Sequence, residues 1–248
     1  MSLFPILFAL ITGCRPAPTT LAELQAASDA DAAGKRLMRT PMGLNRLDEP
    51  VDREGLVVVT VHGFGSEGSE WVEPLTIFGD DDLELYFYHW QDHQCPDTGA
   101  AELRGALESL VASSPQMERL VVVAHSYGGV IATLAAQAGP LGDATELDIV
   151  ASPIAGVEQM ESRCGFHGVP VAPAGEGITW RQWRTVHEQD GAFKDMATDP
   201  QILALPEMEV VQLPGEWEGG RLGHNRSITY VATQMDPSLS AVAEPAAP

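Results

Sequence analysis

Basic residues are scarce in this chain of 248 residues, which has 14 Lys and Arg against 35 Asp and Glu and a formal net charge of −21. Nucleic-acid binding needs a basic surface for the phosphates, and electrostatic docking to anionic lipid needs one as well. The acidic balance therefore argues against both kinds of partner. A solvated acidic surface accounts for it and carries no information about the fold.

Metal and nucleotide motifs are also missing. The sequence has no H-E-x-x-H, no paired C-x-x-C and no aspartate-rich calcium loop, which are the spacings that hold zinc or calcium. No G-x-G-x-x-G opens a predicted helix, so a dinucleotide is not indicated. We expect neither a metal nor a cofactor.

Long hydrophobic runs are lacking at the N-terminus, where the apolar stretch over residues 3–11 is too short to span a bilayer. It leads into Ile11-Thr12-Gly13-Cys14, which resembles a bacterial lipobox, although no Lys or Arg precedes the run. The resemblance implies that a signal peptide over 1–13 is removed and that Cys14 carries lipid. The mature protein would then be an exported lipoprotein whose segment 14–50 begins as a tether. A plain secretory signal, with a periplasmic or secreted product, and a misassigned start are the alternatives.

Only two cysteines, Cys95 and Cys164, remain besides Cys14. An even pair in an exported protein favours a disulfide. Two free thiols are the alternative, because the sequence does not place the two sulfur atoms.

Apolar runs alternate with helical patterns along the middle of the chain. Strands are predicted over 56–61, 83–90, 120–123, 147–151, 178–187 and 208–213, and helices over 100–111, 129–136 and 227–235, with a short helix from residue 20. This alternation predicts an α/β domain over 51–235, with a mostly parallel sheet covered by helices on both faces. Residues 151–177 are predicted as a loop, too short for a large cap, and 236–248 as a disordered tail.

A serine follows the strand over 120–123, in Ala124-His125-Ser126-Tyr127-Gly128, and an apolar helix comes next. The pattern is that of G-x-S-x-G, with alanine in the first glycine position. Such a turn is strained, so the residues flanking the serine must be small, as Ala124 and Gly128 are. The turn is a way to present Ser126 as a nucleophile at the carboxyl edge of a sheet.

Together with His62-Gly63-Phe64-Gly65 after an early strand and the order Ser, Asp, His, this turn makes the chain resemble the α/β-hydrolase family, in particular its small secreted esterases and lipases. The resemblance covers about residues 56–229. It implies that the backbone N–H groups of Tyr127 and Phe64 bind the oxyanion. Gly63 and Gly65, beside His62, let that loop approach closely.

The base and the acid are expected after the last strands. His224 lies in a predicted loop and can accept the proton of Ser126, because a histidine titrates near neutral pH. Asp190, just before a glycine, is the candidate to orient the imidazole. Glu188 is its nearest rival, and Asp195 and Asp148 are weaker ones. The six other histidines are expected to be structural.

These residues predict a serine hydrolase that cleaves small-molecule or lipid esters through an acyl-enzyme. A thioesterase or an amidase would use the same groups, since the motif defines acyl transfer and not the leaving group. A surface protein that uses the fold only for binding is the alternative of another class. The oligomeric state is not readable from the sequence.

Overall fold

The computed structural model describes residues 19–48, 55–79, 83–142, 144–173, 177–206 and 208–240. Cys14 and the N-terminal apolar run lie outside these ranges, as does the end of the chain over 241–248. The described helices are α1 (Leu21–Gln25), α2 (Ala30–Leu37), α3 (Ser69–Phe78), α4 (Pro96–Ser113), α5 (Tyr127–Ala136), α6 (Glu158–Cys164) and α7 (Gly223–Ser240). The strands are β1 (Gly43–Arg46), β2 (Leu56–Val61), β3 (Glu84–His89), β4 (Arg119–His125), β5 (Thr145–Val150), β6 (Ile178–Arg184), β7 (Glu209–Gln212), β8 (Glu216–Trp217) and β9 (Gly220–Arg221).

Seven strands form one sheet in the order β1-β3-β2-β4-β5-β6-β7, and β8 and β9 form a separate two-stranded hairpin. β1 is antiparallel to β3, whereas the other pairs in the large sheet are parallel. The predicted α/β architecture with a mostly parallel sheet is confirmed. Parallel strands β2, β4, β5 and β6 all end at one edge, which is where such folds place their ligands.

The central strands are buried on both faces, which explains their continuous runs of valine. Alternate residues of β2 pack on opposite sides: Val58 joins a core with helices α1, α2, α3 and α7, while Val57 and Val59 join a second core with α4 and α5. The sheet is therefore enclosed by helices on both faces. Within the described ranges, no helix is both long enough and apolar enough to cross a membrane.

The sequence prediction missed helices α2 and α3 and the β8–β9 hairpin, and it differs from the structure in three further elements. Strand β1 was not predicted, because its four residues are all half-buried and show no alternation. The predicted loop over 151–177 contains α6, a polar helix of seven residues with no buried side chain. Helix α7 begins at Gly223 and reaches Ser240, so it includes five residues that were assigned to the disordered tail.

Cys95 and Cys164 form a disulfide with their Cα atoms 5.6 Å apart. The bridge joins the start of α4 to the end of α6, and it closes a loop of 69 residues. It therefore ties the segment after β3 to the segment after β5 on the edge of the sheet that carries Ser126.

Replacing both cysteines with alanine should lower the free energy of unfolding by up to about 4 kcal/mol, because the bridge restricts the unfolded chain. Denaturant unfolding of the double variant would measure the loss, and reduced wild-type protein is its matched control. A free-thiol count that does not rise when the denatured, oxidised protein is reduced would contradict the bridge.

Candidate active site

The turn after β4 holds Ser126 in a backbone conformation with φ 52° and ψ −123°. A positive φ is unfavourable for a residue with a side chain and persists only where the surroundings enforce it. The N–H of Ser126 donates to the carbonyl of Val150 at 2.8 Å. A Cβ atom on Gly128 would lie 2.5 Å from the carbonyl oxygen of His62, and one on Gly63 would lie 2.8 Å from the Cβ of Ser126. Close backbone approach on both sides therefore explains why these two positions are glycine.

His224 lies in the first turn of α7 and not in a loop, which corrects the prediction from sequence. Its Nδ1 is 2.9 Å from Oδ2 of Asp190, across 34 residues of sequence. The Phe193 ring packs against the imidazole in a T-shaped contact with centroids 4.9 Å apart. The side chain of His224 is thus held from two directions and remains 14% exposed.

Asp190 is fully buried and accepts three hydrogen bonds. Besides His224, the hydroxyl of Thr185 is 2.5 Å from Oδ2, and the N–H of Ala192 donates to Oδ1 at 2.8 Å. Burial acts to raise the pKa of Asp190, but the hydrogen bonds and charge of His224 and the other two donors outweigh it and lower the pKa. The group is therefore a carboxylate at neutral pH. Since a carboxylate only accepts, Nδ1 of His224 carries a proton, which leaves Nε2 as the ring nitrogen that can accept one.

None of the three alternative acids from the sequence, Glu188, Asp195 and Asp148, has a hydrogen bond to His224 among the contacts of the described residues. Glu188 is exposed on a 3₁₀ turn over His187–Gln189, and Asp195 is exposed as well. Asp148 is buried but accepts from Arg181 at 3.0 Å and from Nε1 of Trp183 at 2.7 Å. Burial raises the pKa of Asp148 to about 6. It therefore has structural partners within the sheet.

The loop between β2 and α3 faces Ser126 and is fastened to the end of β3. Nδ1 of His62 lies 2.8 Å from the carbonyl oxygen of Gly63, and Nε2 accepts from the N–H of Trp90 at 3.3 Å. Burial lowers the pKa of His62 to about 4, so the ring is neutral. The N–H of Gly65, which has φ +66°, donates to Asp92 at 2.6 Å. These contacts hold the backbone on both sides of Phe64.

Ser126 and His224 line one cavity of about 270 Å³. The glycine loop and α3 form the facing wall with Gly63, Phe64, Glu67 and Glu70. Tyr127, the first residue of α5, follows the serine, so its backbone N–H lies at a helix N-terminus. Another cavity of about 300 Å³, lined by Arg46 and Tyr86 among others, lies at the amino ends of the strands, remote from Ser126. Of the sequence-predicted residues, Ser126, His224, Phe64, Gly63 and Gly65 therefore line the cavity of about 270 Å³, and Asp190 is linked to it through His224.

A family model described as the alpha/beta hydrolase family matches residues 58–245. The chain belongs to the α/β-hydrolase family. No curated protein sequence matches it.

Solved structures share the fold at low sequence identity. The mature lipase BlEst2 of Bacillus licheniformis is 12% identical with a TM-score of 0.55, over 78% of this chain and 96% of that one. The esterase Est1E of Butyrivibrio proteoclasticus, solved with ferulic acid bound, is 13% identical with a TM-score of 0.50, over 79% of this chain and 92% of that one. At these identities the likeness establishes the fold of this α/β hydrolase.

Several supporting residues of the hydrolase were missed from the sequence. Thr185 and Phe193 contact Asp190 and His224, and Asp92 and Trp90 fasten the glycine loop. Their spacing along the chain carries no motif, so only the position of Asp92 and Trp90 near the end of β3 could have suggested them. Within the described ranges, no group of three or more His, Cys, Asp or Glu side chains is arranged to hold a metal ion.

Proposed function

We propose that this α/β hydrolase cleaves carboxylic esters through a covalent acyl-enzyme on Ser126. The observation that carries the proposal is the shared cavity: Ser126 lines it from a strained turn, and His224, bonded to ionised Asp190, lines it from α7. Nucleophile, base and orienting acid thus converge from three separate elements of the chain.

The proposed reaction transfers the proton of Ser126 through Nε2 of His224 to the leaving alcohol. Ser126 Oγ attacks the ester carbonyl carbon while Nε2 of His224 takes its proton. The oxyanion then accepts hydrogen bonds from the backbone N–H groups of Tyr127 and Phe64. When the tetrahedral intermediate collapses, the alcohol leaves with the proton from His224. Water repeats the sequence on the acyl-enzyme and releases the acid.

Asp190 contributes by holding the imidazole in the Nδ1–H tautomer and by stabilising the imidazolium that forms. Among the described residues, its buried carboxylate accepts from three donors, His224, Thr185 and Ala192. The negative charge therefore stays beside the ring throughout the cycle.

A matched set of substrates tests the leaving group. Ester, thioester and amide of one acyl group pass through the same intermediate, so the purified protein should hydrolyse all three in proportion to leaving-group reactivity, with the amide slowest. A thioester rate far above that proportion would make the protein a thioesterase, and a fast amide an amidase. A folded protein that hydrolyses none of them would support a binding role.

The acyl group should be short and uncharged. A volume of about 270 Å³ lies just below the usual range of ligand pockets, which begins at about 300 Å³. Phe64 is the large apolar side chain on the wall formed with Glu67 and Glu70. Across aryl esters of increasing acyl length, kcat/KM should stop rising beyond butyryl, since further methylenes gain no burial. A terminal carboxylate on the acyl chain should lower kcat/KM, because Glu67 and Glu70 line the cavity. Rates that climb steadily to decanoyl would contradict this prediction.

Export to an oxidising compartment, with a lipid anchor on Cys14, is part of the same proposal. The Cys95–Cys164 disulfide supports it, because such bonds persist outside the reducing cytosol. The mass of the mature N-terminal peptide distinguishes a lipidated Cys14 from simple cleavage or from an uncleaved chain.

A further inference from the structure

His125 precedes Ser126 and is buried against the turn that carries His224. Its Nε2 lies 3.2 Å from the backbone carbonyl oxygen of His224, across 99 residues of sequence. The two imidazole rings pack with centroids 4.6 Å apart and planes tilted by 54°. His125 therefore contacts His224 in two ways, through a hydrogen bond from Nε2 to its backbone carbonyl and through packing of the two rings.

The carbonyl oxygen of His224 determines which nitrogen of His125 carries the proton. A carbonyl oxygen only accepts, so Nε2 of His125 must donate and carry a proton. Burial and the neighbouring His224 lower the pKa of His125 well below the ordinary value, so the ring is neutral and Nδ1 carries no proton. A neutral ring adds no charge beside His224 when that residue accepts a proton.

The hydrogen bond from His125 holds the backbone of His224, whose side chain is the proposed base. The carbonyl of His224 also accepts from the hydroxyl of Ser227, which closes the first turn of α7. His125 ties that same carbonyl to the end of β4, where the next residue is Ser126. A shift of α7 away from the serine turn would have to break this bond.

We propose that His125 is a positioning residue, which sets the distance and angle between Ser126 and His224 through its bond to the His224 carbonyl and its ring contact. This inference rests on the proposed function, in which His224 must pass a proton from Ser126 to the leaving group. A space-filling role is the competing explanation, because His125 also packs beside the buried ring of Trp71, with centroids 6.5 Å apart.

Two variants separate the roles. His125→Gln keeps a donor where Nε2 lies, whereas His125→Met has nearly the same shape and no donor. Relative to His125→Gln, His125→Met should lower kcat by about 10- to 100-fold, since small misplacements of reacting groups cost that much. KM should change little. Fluorophosphonate titration gives the active-site concentration on which both rates are based.

The dependence of the rate on the leaving group distinguishes positioning from space filling, because a space-filling role would not change it. An alkoxide needs the proton of His224, whereas 4-nitrophenoxide leaves without one. The loss in His125→Met should therefore be larger for an ethyl ester than for a 4-nitrophenyl ester of the same acid. Equal losses for both esters, or equal losses in both variants, would overturn the proposal.

Nitrogen-15 NMR of the wild-type protein tests the contact without any turnover. The Nε2–H tautomer of neutral His125 is expected at pH 7, together with a low-field proton on Nδ1 of His224. An Nδ1–H tautomer or a charged His125 would overturn the proposal even if neither variant folds. Absence of hydrolysis with these signals present would instead count against the proposed function alone.

Discussion

Ser126→Ala should lower kcat by about 10⁶-fold, the cost of removing the nucleophile from a comparable triad. The covalent path is lost, and only the hydrogen bonds to the oxyanion and substrate binding remain. KM should change little, because the alanine leaves the cavity walls in place. Steady-state hydrolysis of a short aryl ester measures the loss, and a fluorophosphonate probe that labels the wild type should not label the variant.

Ser152→Ala is the matched control for this experiment. Ser152 is a buried serine just after the end of the neighbouring strand β5, and its hydroxyl has no hydrogen-bond partner among the described residues. Its loss should therefore change neither labelling nor rate. Ser126→Ala retains a Cβ at positive φ, so its free energy of unfolding should match that of the wild type. Labelling that survives in Ser126→Ala would assign the nucleophile to another residue.

Asp190→Asn should lower kcat by about 10⁴-fold, as the corresponding change does in serine proteases. If the amide NH₂ faces the ring, Nδ1 of His224 must accept and the proton moves to Nε2, where it blocks transfer from Ser126. In that orientation the N–H of Ala192 still donates to Oδ1, and the Thr185 hydroxyl can accept from the new NH₂ while it donates to Oε1 of Gln201 at 3.1 Å, so the geometry should persist. The rate on the same aryl ester measures the effect.

Glu188→Gln is the control, because Glu188 is the nearest acid in sequence and is exposed. It should retain the wild-type rate, and a large loss there would transfer the orienting role from Asp190. A second readout is the pH dependence of stability. The pKa of Asp190 is lowered by folding, so its contribution is present above about pH 4 and is lost as the pH falls through the folded pKa. The stability difference between wild type and Asp190→Asn should shrink accordingly in acid.

The strands that build the site were predictable because their pattern is local. β2 and β4 are continuous buried runs of valine, and parallel strands buried on both faces require such runs. The serine turn was predictable for a similar reason, since only small residues fit beside a strained serine. β1 and α6 gave no such signal: the residues of β1 are all half-buried, and α6 buries no side chain. Pairing with β3 stabilises β1, and the disulfide at Cys164 anchors α6.

The sequence by itself determined the α/β architecture and the kinds of residue available for chemistry, because periodicity, turn sterics and residue type are local properties. Only the tertiary structure decided that His224 sits on a helix, that Thr185 and Ala192 join it around Asp190, and that His125 reaches the carbonyl of His224. The contacts of His224 with Asp190 and with His125 join residues 34 and 99 positions apart. Their distances depend on how α7 packs against the sheet, which no local pattern specifies.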